Sequence, residues 1–312
     1  MTEASLVPLL ATGDDEAHQR FVDLVAEVRP ELFKYCARMT GSIFDGEDIV
    51  QETLARAYAA LGNATEPPPL RPWLFRVAHN AAMDFLKRYE RKHVDFVAEA
   101  PEPVEPDVND VDPALVEAAL VRFMDLPLLQ RSALVLKDVL GHSLAETAET
   151  MGISVSAVKA ALVRARENLS QNTPRREPRE RSVSAEEHQK LRQYAELFNN
   201  RDWDGLRALM GEQSRLEVMT RVRRRGRAAA EYYTRYAEVA GPEALRAEVG
   251  WVDTTPVIAI FRPASAATPA YFILIEWDGE KVSLIRDFRY VPYLTDAAEY
   301  ASAENATPPE HA

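Results

Sequence analysis

The hydrophobic pattern of residues 143–169 predicts two short helices joined by a tight turn. Leu144, Ala148 and Met151 recur at helical spacing in the first helix, and Gly152 permits the turn because glycine accepts a left-handed backbone. The apolar stripe of the second helix consists of Val155, Val158, Leu162, Ala165 and Leu169. This arrangement is typical of a helix-turn-helix, and the alternative is an ordinary αα-hairpin of a helical domain.

The polar positions of the second helix favour contact with DNA. They are small or cationic, and they comprise Ser154, Ser156, Lys159, Arg164 and Arg166. Small side chains fit a DNA groove, and cations contact the phosphates. Ser154 is also expected to cap the helix, because a serine hydroxyl accepts the first backbone N–H groups.

Residues 15–95 show a second helical pattern with two conspicuous polar faces. A helix predicted to begin with Asp45 as its cap presents Asp48, Gln51, Glu52 and Arg56. A later helix, beginning near Pro72, presents Trp73, Arg76, Asn80, Asp84 and Arg88. Aromatic and cationic side chains beside a loop suit splayed single-stranded bases and their backbone. The alternatives are a core position for Trp73 and a solvated face for the basic helix.

Changes in composition divide the chain into six segments. Residues 96–113 are rich in proline and acid and predict a flexible tether, and residues 171–184 predict a second, basic linker. The tether separates a helical domain at 15–95 from a second one at 114–170, and the basic linker separates the second domain from a region at 185–296. Residues 297–312 are predicted to be a disordered tail. We find no internal repeat.

Residues 185–296 predict an α+β domain. A helix, a break near Asn199–Asp202, a short second helix, a strand and a third helix at 226–241 precede long strands, which we expect to be antiparallel. Asp278-Gly279 is predicted to form a hairpin turn.

Composition and charge narrow the functional classes. A hydrophobic fraction of 46% and a charged fraction of 28% are typical of a soluble globular protein, and the apolar runs are too short to span a membrane. We read no signal peptide, and the single cysteine, Cys36, fits the reducing cytoplasm. The net charge of −12 opposes DNA phosphates, yet residues 71–92 carry six cations against two acids. This distribution indicates a DNA binder assisted by a larger partner.

Residues 45–61, 72–88 and 126–169, in this order, resemble an extracytoplasmic-function (ECF) sigma factor of bacterial RNA polymerase. The resemblance implies two all-helical sigma domains, the second a helix-turn-helix, with core polymerase (β and β′ subunits) and promoter DNA as partners. It places Asp48, Gln51, Glu52 and Arg56 on the β′ clamp, Trp73, Arg76, Asn80, Asp84 and Arg88 on the −10 element, and the helix-turn-helix on the −35 element. It also implies that the acidic tether occupies the polymerase's RNA exit path.

One departure from the family concerns the second helix of the helix-turn-helix. Ala160 and Ala161 stand where the family commonly has Ser-Arg. Alanine cannot make the bidentate guanine contact that arginine makes, which contributes about 1–3 kcal/mol of discrimination. We therefore expect relaxed −35 recognition, a shift of recognition to Lys159, Arg164 and Arg166, or a non-standard −35 sequence.

The region after residue 184 resembles the SnoaL-like α+β cone through its element order and residues 278–293. The resemblance implies regulation of the sigma factor in cis. A regulatory pocket, with a small-molecule ligand as its occupant, is expected from Trp203, Tyr232, Tyr233, Trp251 and Asp287, although the same aromatics equally suit a plain core. Catalysis by Asp253 or Asp287 is the less favoured reading. Five arginines between Arg221 and Arg227 form a basic cluster suited to DNA, the tether or the polymerase, or to a solvated loop.

The sequence thus predicts a cytoplasmic, non-enzymatic sigma factor without cofactor, metal or membrane contact. The alternatives are an autonomous helix-turn-helix transcriptional regulator and a bifunctional protein with a catalytic SnoaL-like domain. The clamp-binding face and the acidic tether favour the sigma factor, because an autonomous regulator needs neither.

Overall fold

The computed structural model describes residues 21, 23–61, 68–93, 122–171, 183–218, 222–225 and 245–303. The chain divides into two compact units, Met1–Pro178 and Arg179–Ala312. The predicted tether at 96–113, most of the basic linker, and the helix predicted at 226–241 lie outside the described residues.

Three helices build the first domain of the first unit: α1 (Arg29–Thr40), α2 (Ile43–Leu61) and α3 (Leu70–His93). Helix α1 ends at Gly41, whose φ of 70° allows its N–H to bond the Ala37 carbonyl. The prediction that Asp45 caps α2 is wrong. The cap lies three residues earlier, at Ser42, whose hydroxyl accepts the Asp45 N–H at 3.2 Å, and the helix begins at Ile43.

The apolar stripes of these helices meet in one core. Leu32, Phe33, Cys36 and Met39 of α1 are almost completely buried, together with Ile49 and Val50 of α2 and Leu74 and Ala78 of α3. The predicted helical periodicity of this domain is therefore confirmed, and its polar faces are left on the outside.

The second domain of the first unit contains α4 (Leu128–Leu134), a π-helical turn (Val135–Val139), α5 (Leu144–Met151) and α6 (Val155–Gln171). A capping box starts α5: the Ser143 hydroxyl accepts the Glu146 N–H, and the Glu146 carboxylate accepts the Ser143 N–H. Gly152 ends α5 with a φ of 66°, and Ser154 caps α6 by accepting the Ala157 N–H at 3.2 Å.

The helix-turn-helix is therefore confirmed, with one error in its stripe. Val155 is 39% exposed, whereas Val158, Leu162 and Ala165 are buried. Val155 is the first residue of α6, so its side chain lies at the edge of the stripe rather than above the core.

The second unit packs helices against a seven-stranded sheet. The helices are α7 (Ala185–Asn199), α8 (Trp203–Leu209) and α9 (Pro292–Ala297). The strands are β1 (Met210–Val218), β2 (Val222–Arg225), β3 (Arg246–Val252), β4 (Thr255–Phe261), β5 (Tyr271–Asp278), β6 (Lys281–Asp287) and β7 (Tyr300–Ser302), in the order β2-β1-β6-β5-β4-β3-β7. Two helical domains followed by an α+β domain confirm the predicted fold class, and this element order agrees with the SnoaL-like resemblance.

The long strands β3 to β6 pair antiparallel, as predicted, and the earlier strand β1 pairs in parallel with β6. Two details of this unit differ from the sequence prediction. The β5–β6 hairpin turns at Gly279-Glu280, one residue later than predicted, since Asp278 still pairs with Lys281. The predicted disordered tail at 297–312 is wrong at its beginning, because β7 pairs with residues 250–252 of β3. Residues 304–312 lie outside the described part.

Candidate nucleic-acid interface

The polar residues of α6 lie on its outer face, as the pattern predicted. Lys159 and Arg164 are exposed. The Arg166 guanidinium donates to both carboxylate oxygens of Asp138, at 2.9 and 3.0 Å, which positions this arginine against the π-helical turn. The face therefore presents two exposed cations and a third that its own domain holds in place.

The N-terminus of α6 brings two of the predicted residues together. The hydroxyls of Ser154 and Ser156 lie 2.9 Å apart, and Ser154 also accepts the capping N–H bond. A helix N-terminus with exposed N–H groups and hydroxyls is suited to a DNA phosphate. Ala160 and Ala161 follow on the same helix, half-buried, where their methyl groups cannot donate a hydrogen bond to a base.

Helix α3 presents a line of polar side chains that winds about a third of the way round the helix. Arg76, Asn80, Asp84 and Arg88 recur every four residues, and all four are exposed. At 1.5 Å per residue the line extends about 18 Å, which is long enough to follow several nucleotides. Trp73 is half-buried at the start of the same helix, so its ring contacts both the core and solvent.

The polar face of α2 is anchored by a residue that the sequence analysis missed. Glu47 is completely buried, and its carboxylate accepts from Arg29 at 2.5 Å and from Gln51 at 2.7 Å. Glu52 and Arg56, one turn apart, form an exposed ion pair at 2.5 Å. Asp48 is half-buried. The spacing of Glu47 and Gln51, one helical turn, was the only signal available in the sequence.

The predicted pocket residues of the second unit are partly brought together. Asp287 is completely buried, shares a sheet face with its cross-strand partners Val218 and Ile273, and accepts the Arg289 N–H at 2.8 Å. Trp203 packs edge-on against Phe198, with ring centroids 5.6 Å apart, and contacts the same apolar core.

Trp251 is buried in β3 opposite Pro256 and Ala301, near the edge that β7 covers. Tyr232 and Tyr233 lie outside the described residues, as do Arg221 and Arg227 of the basic cluster. Within the described ranges, no three His, Cys, Asp or Glu side chains are grouped so that they could hold a metal ion. No helix in those ranges is long and apolar enough to cross a membrane.

Comparison with known proteins agrees with the two helical domains. The family model Sigma-70 region 2 matches residues 24–92, and Sigma-70, region 4 matches residues 120–169. The chain is 33% identical to the ECF RNA polymerase sigma factor SigG of Mycobacterium tuberculosis, over 62% of this chain and 61% of SigG. It is 32% identical to the RNA polymerase sigma factor NccH of Alcaligenes xylosoxydans xylosoxydans, over 54% of this chain and 96% of NccH.

Among solved structures, the Mycobacterium tuberculosis ECF sigma factor SigJ matches 85% of this chain and 95% of its own, with 22% identity and a TM-score of 0.33. The chain spans 61% of the length of SigG but nearly all of NccH. Both sigma regions occur in order, and each coincides with one of the helical domains described above. The chain belongs to the ECF family of RNA polymerase sigma factors.

Proposed function

We propose that this protein binds core RNA polymerase, recognises −10 and −35 promoter elements and initiates transcription. The observation that carries the proposal is the exposed line of Arg76, Asn80, Asp84 and Arg88 on α3, in the domain that matches region 2. A second surface suited to DNA, the outer face of α6 with its small and cationic side chains, lies in the domain that matches region 4. Two separate surfaces suit two separate promoter elements.

The face of Asp48, Gln51, Glu52 and Arg56 on α2 is proposed to bind the polymerase clamp. Glu52 and Arg56 are exposed, and their ion pair can exchange for pairs with the polymerase at little cost, since exposed pairs contribute only about 0–1 kcal/mol. The Gln51 amide donates to the buried Glu47 carboxylate, and this bond fixes the position of the Gln51 side chain on the surface of α2. The promoter residues of α3 lie on a different helix of the same domain.

The second unit is proposed to regulate the sigma factor in cis rather than to catalyse a reaction. The Asp287 carboxylate is completely buried and already accepts a backbone N–H, which suits a structural role better than proton transfer. His188 accepts from the Arg192 guanidinium at 2.9 Å on an outer turn of α7, so its ring is occupied. We also propose that the protein acts in the cytoplasm, where core polymerase resides.

Binding of core polymerase by the full chain tests the proposal. Charge reversal at either member of the exposed pair, Glu52→Arg or Arg56→Glu, should weaken binding at least tenfold while the helical circular dichroism stays unchanged. Glu186→Arg in α7, which also reverses the exposed acidic member of an i,i+4 pair, is the matched control and should bind as the wild type does. Unchanged binding by both α2 variants would contradict the clamp assignment.

Promoter binding separates this proposal from an autonomous regulator. The free protein should bind a promoter duplex poorly at physiological salt, because its net charge of −12 opposes the phosphates, whereas the complex with polymerase should bind well. Tight promoter binding by the free protein would favour the autonomous regulator instead.

A further inference from the structure

In the described part of the chain, the clearly exposed large apolar side chains all belong to the second helical domain of the first unit. They are Leu129, Val139, Val155 and Val163. Val163 is the most exposed of them, at 53%, and lies in the middle of α6, the second helix of the helix-turn-helix. A single exposed valine is ordinary on a protein surface, but this one lies among other apolar side chains on a helix expected to face DNA. The proposed function gives it no role.

Ala157, Ala160 and Val163 form an apolar strip along the outer side of α6. Residues three apart share one helix face, so the three side chains follow one another along the helix. With 3.6 residues per turn, the strip lies on the side of α6 opposite its buried residues Val158 and Leu162. Ala157 and Val163 are exposed, and Ala160 is half-buried. None of the three side chains can donate or accept a hydrogen bond, so the strip offers only methyl groups to a partner.

Cations lie on both sides of the apolar strip. Arg164 is exposed on one side of it, and Arg166 lies on the other side, where it donates to both carboxylate oxygens of Asp138 at 2.9 and 3.0 Å. The exposed Glu167, one turn after Val163, places a carboxylate at the C-terminal end of the strip, which limits contact with phosphates to the earlier turns. This arrangement matches a DNA groove, where phosphates line the edges and base edges form the floor.

The chemistry of the strip selects one feature of the major groove. Each base pair presents hydrogen-bond donors and acceptors there, and thymine alone also presents a C5-methyl group. Alanine and valine methyl groups cannot exchange hydrogen bonds with a base, but they can make apolar contact with the thymine methyl group. The strip therefore suits thymine better than any other base.

We propose that the apolar strip of α6 reads the −35 element by contact with thymine C5-methyl groups. The inference rests on the proposed function and deepens it, because it names the chemical group that is recognised. Ala160 and Val163 contact methyl groups in the major groove, while Arg164 and Arg166 contact phosphates on either side. Lys159, exposed on the same helix, remains available for a neighbouring base. The preferred −35 element therefore carries thymine, on either strand, at the positions that face the strip.

The length of the strip sets the expected discrimination. From the first to the last of its residues the helix rises about 9 Å, which corresponds to about three base pairs along the duplex. Two or three thymine methyl groups can therefore lie against the strip. Burial of one methyl group from water changes affinity about fourfold. Removal of all the contacted methyl groups from the DNA should thus weaken binding by about fifteen- to sixtyfold.

Deoxyuridine in place of thymidine tests the contact, because uracil pairs as thymine does and lacks only the methyl group. The full chain with core RNA polymerase first selects promoters from a duplex library randomised at the −35 and −10 elements. A selected duplex is then made with deoxyuridine at every thymine of the −35 element, and competition binding compares it with the thymine duplex. The thymine duplex should bind about fifteen- to sixtyfold more tightly. A control duplex with deoxyuridine only upstream of the −35 element should bind as the thymine duplex does.

A change in the protein tests the same contact from the other side. Val163→Ser removes the valine methyl groups and should reduce the ratio of thymine to uracil affinity about fourfold. Val139→Ser, the same change at an exposed valine of this domain outside the strip, is the control and should keep the wild-type ratio.

Three results would overturn the inference: equal binding of the thymine and uracil duplexes, selected −35 elements without thymine, or an unchanged ratio in Val163→Ser. If Val163→Ser weakens both duplexes equally, the strip contacts the polymerase and does not read DNA. A complex that selects no promoter from the library would contradict the proposed function instead, so the two failures are distinguishable.

Discussion

Acid should destabilise the first unit through His79, and the size of the effect follows from its surroundings. Burial lowers the pKa of His79 from 6.5 to about 4, and the positive charge of Lys87 on the same helix adds to this. The other groups that face its ring are the Tyr35 hydroxyl from α1 and the Ser132 hydroxyl from α4. Both hydroxyls can accept from a protonated ring. Loss of hydration is therefore the main cost of protonating His79 in the folded protein.

The sign of the effect follows from which state takes up the proton. Between pH 6.5 and 4 the unfolded chain protonates this histidine, whereas the folded protein keeps it neutral. Stability is therefore complete above pH 6.5 and is lost as the pH falls towards 4. The full loss is about 3 kcal/mol, of which about 2 kcal/mol falls between pH 7 and pH 5.

Urea unfolding of the wild type and of His79→Asn, followed by circular dichroism at 222 nm, measures this contribution. Asparagine does not titrate, and its amide oxygen can take the position of Nδ1 as an acceptor. The variant starts from a lower stability at pH 7 but should lose about 2 kcal/mol less than the wild type on going to pH 5. Burial also lowers the pKa of His142. Because His142 is present in both proteins, its contribution to the pH dependence cancels in the comparison. Equal losses for the two proteins would refute the reasoning.

The remaining predictions concern the anchor of α2 and the DNA surface of α6. Glu47→Ala should destabilise the protein by about 3–5 kcal/mol, measured by the same unfolding assay, because it removes a buried carboxylate that accepts from both Arg29 and Gln51. A loss below 1 kcal/mol would show that the pair is not an anchor. Arg164→Ala should weaken promoter binding by the polymerase complex similarly for all −35 sequences, whereas Lys159→Ala should change the preference among them. A panel of −35 variants in a filter-binding assay separates the two effects, and identical profiles for both variants would contradict the assigned roles.

Helical periodicity and capping residues were enough to predict the two helical domains and the helix-turn-helix. Ser154 and Gly152 act as expected because their roles depend only on neighbouring residues. The start of α2 was misplaced because Ser42 and Asp45 are both good caps, and packing of Ile43 and Phe44 into the core favours the earlier start. Strand β7 was missed since three residues carry almost no pattern, and its pairing with β3 is a contact between distant parts of the chain.

The residues that join the two helical domains of the first unit were the hardest to predict from the sequence. Tyr35, His79 and Ser132 are separated by 44 and 53 positions, and each is unremarkable within its own helix. Arg131 has the composition of a surface residue, yet it is buried because three backbone carbonyls converge on it. Such contacts depend on how two domains pack, which no local pattern encodes. By contrast, the exposure of the polar side chains on α3 and α6 could be predicted, because most polar side chains of a folded protein are exposed.

Run-off transcription in vitro tests the central claim most directly. Full-length protein, core RNA polymerase and a promoter library should yield transcripts of defined length from a subset of templates. Core enzyme alone, and core enzyme with the variant Glu52→Arg, should yield few or none. Promoter-specific transcripts that require the protein are the predicted result. Transcription that is the same with and without the protein, on every template, would contradict its assignment as an initiating sigma factor.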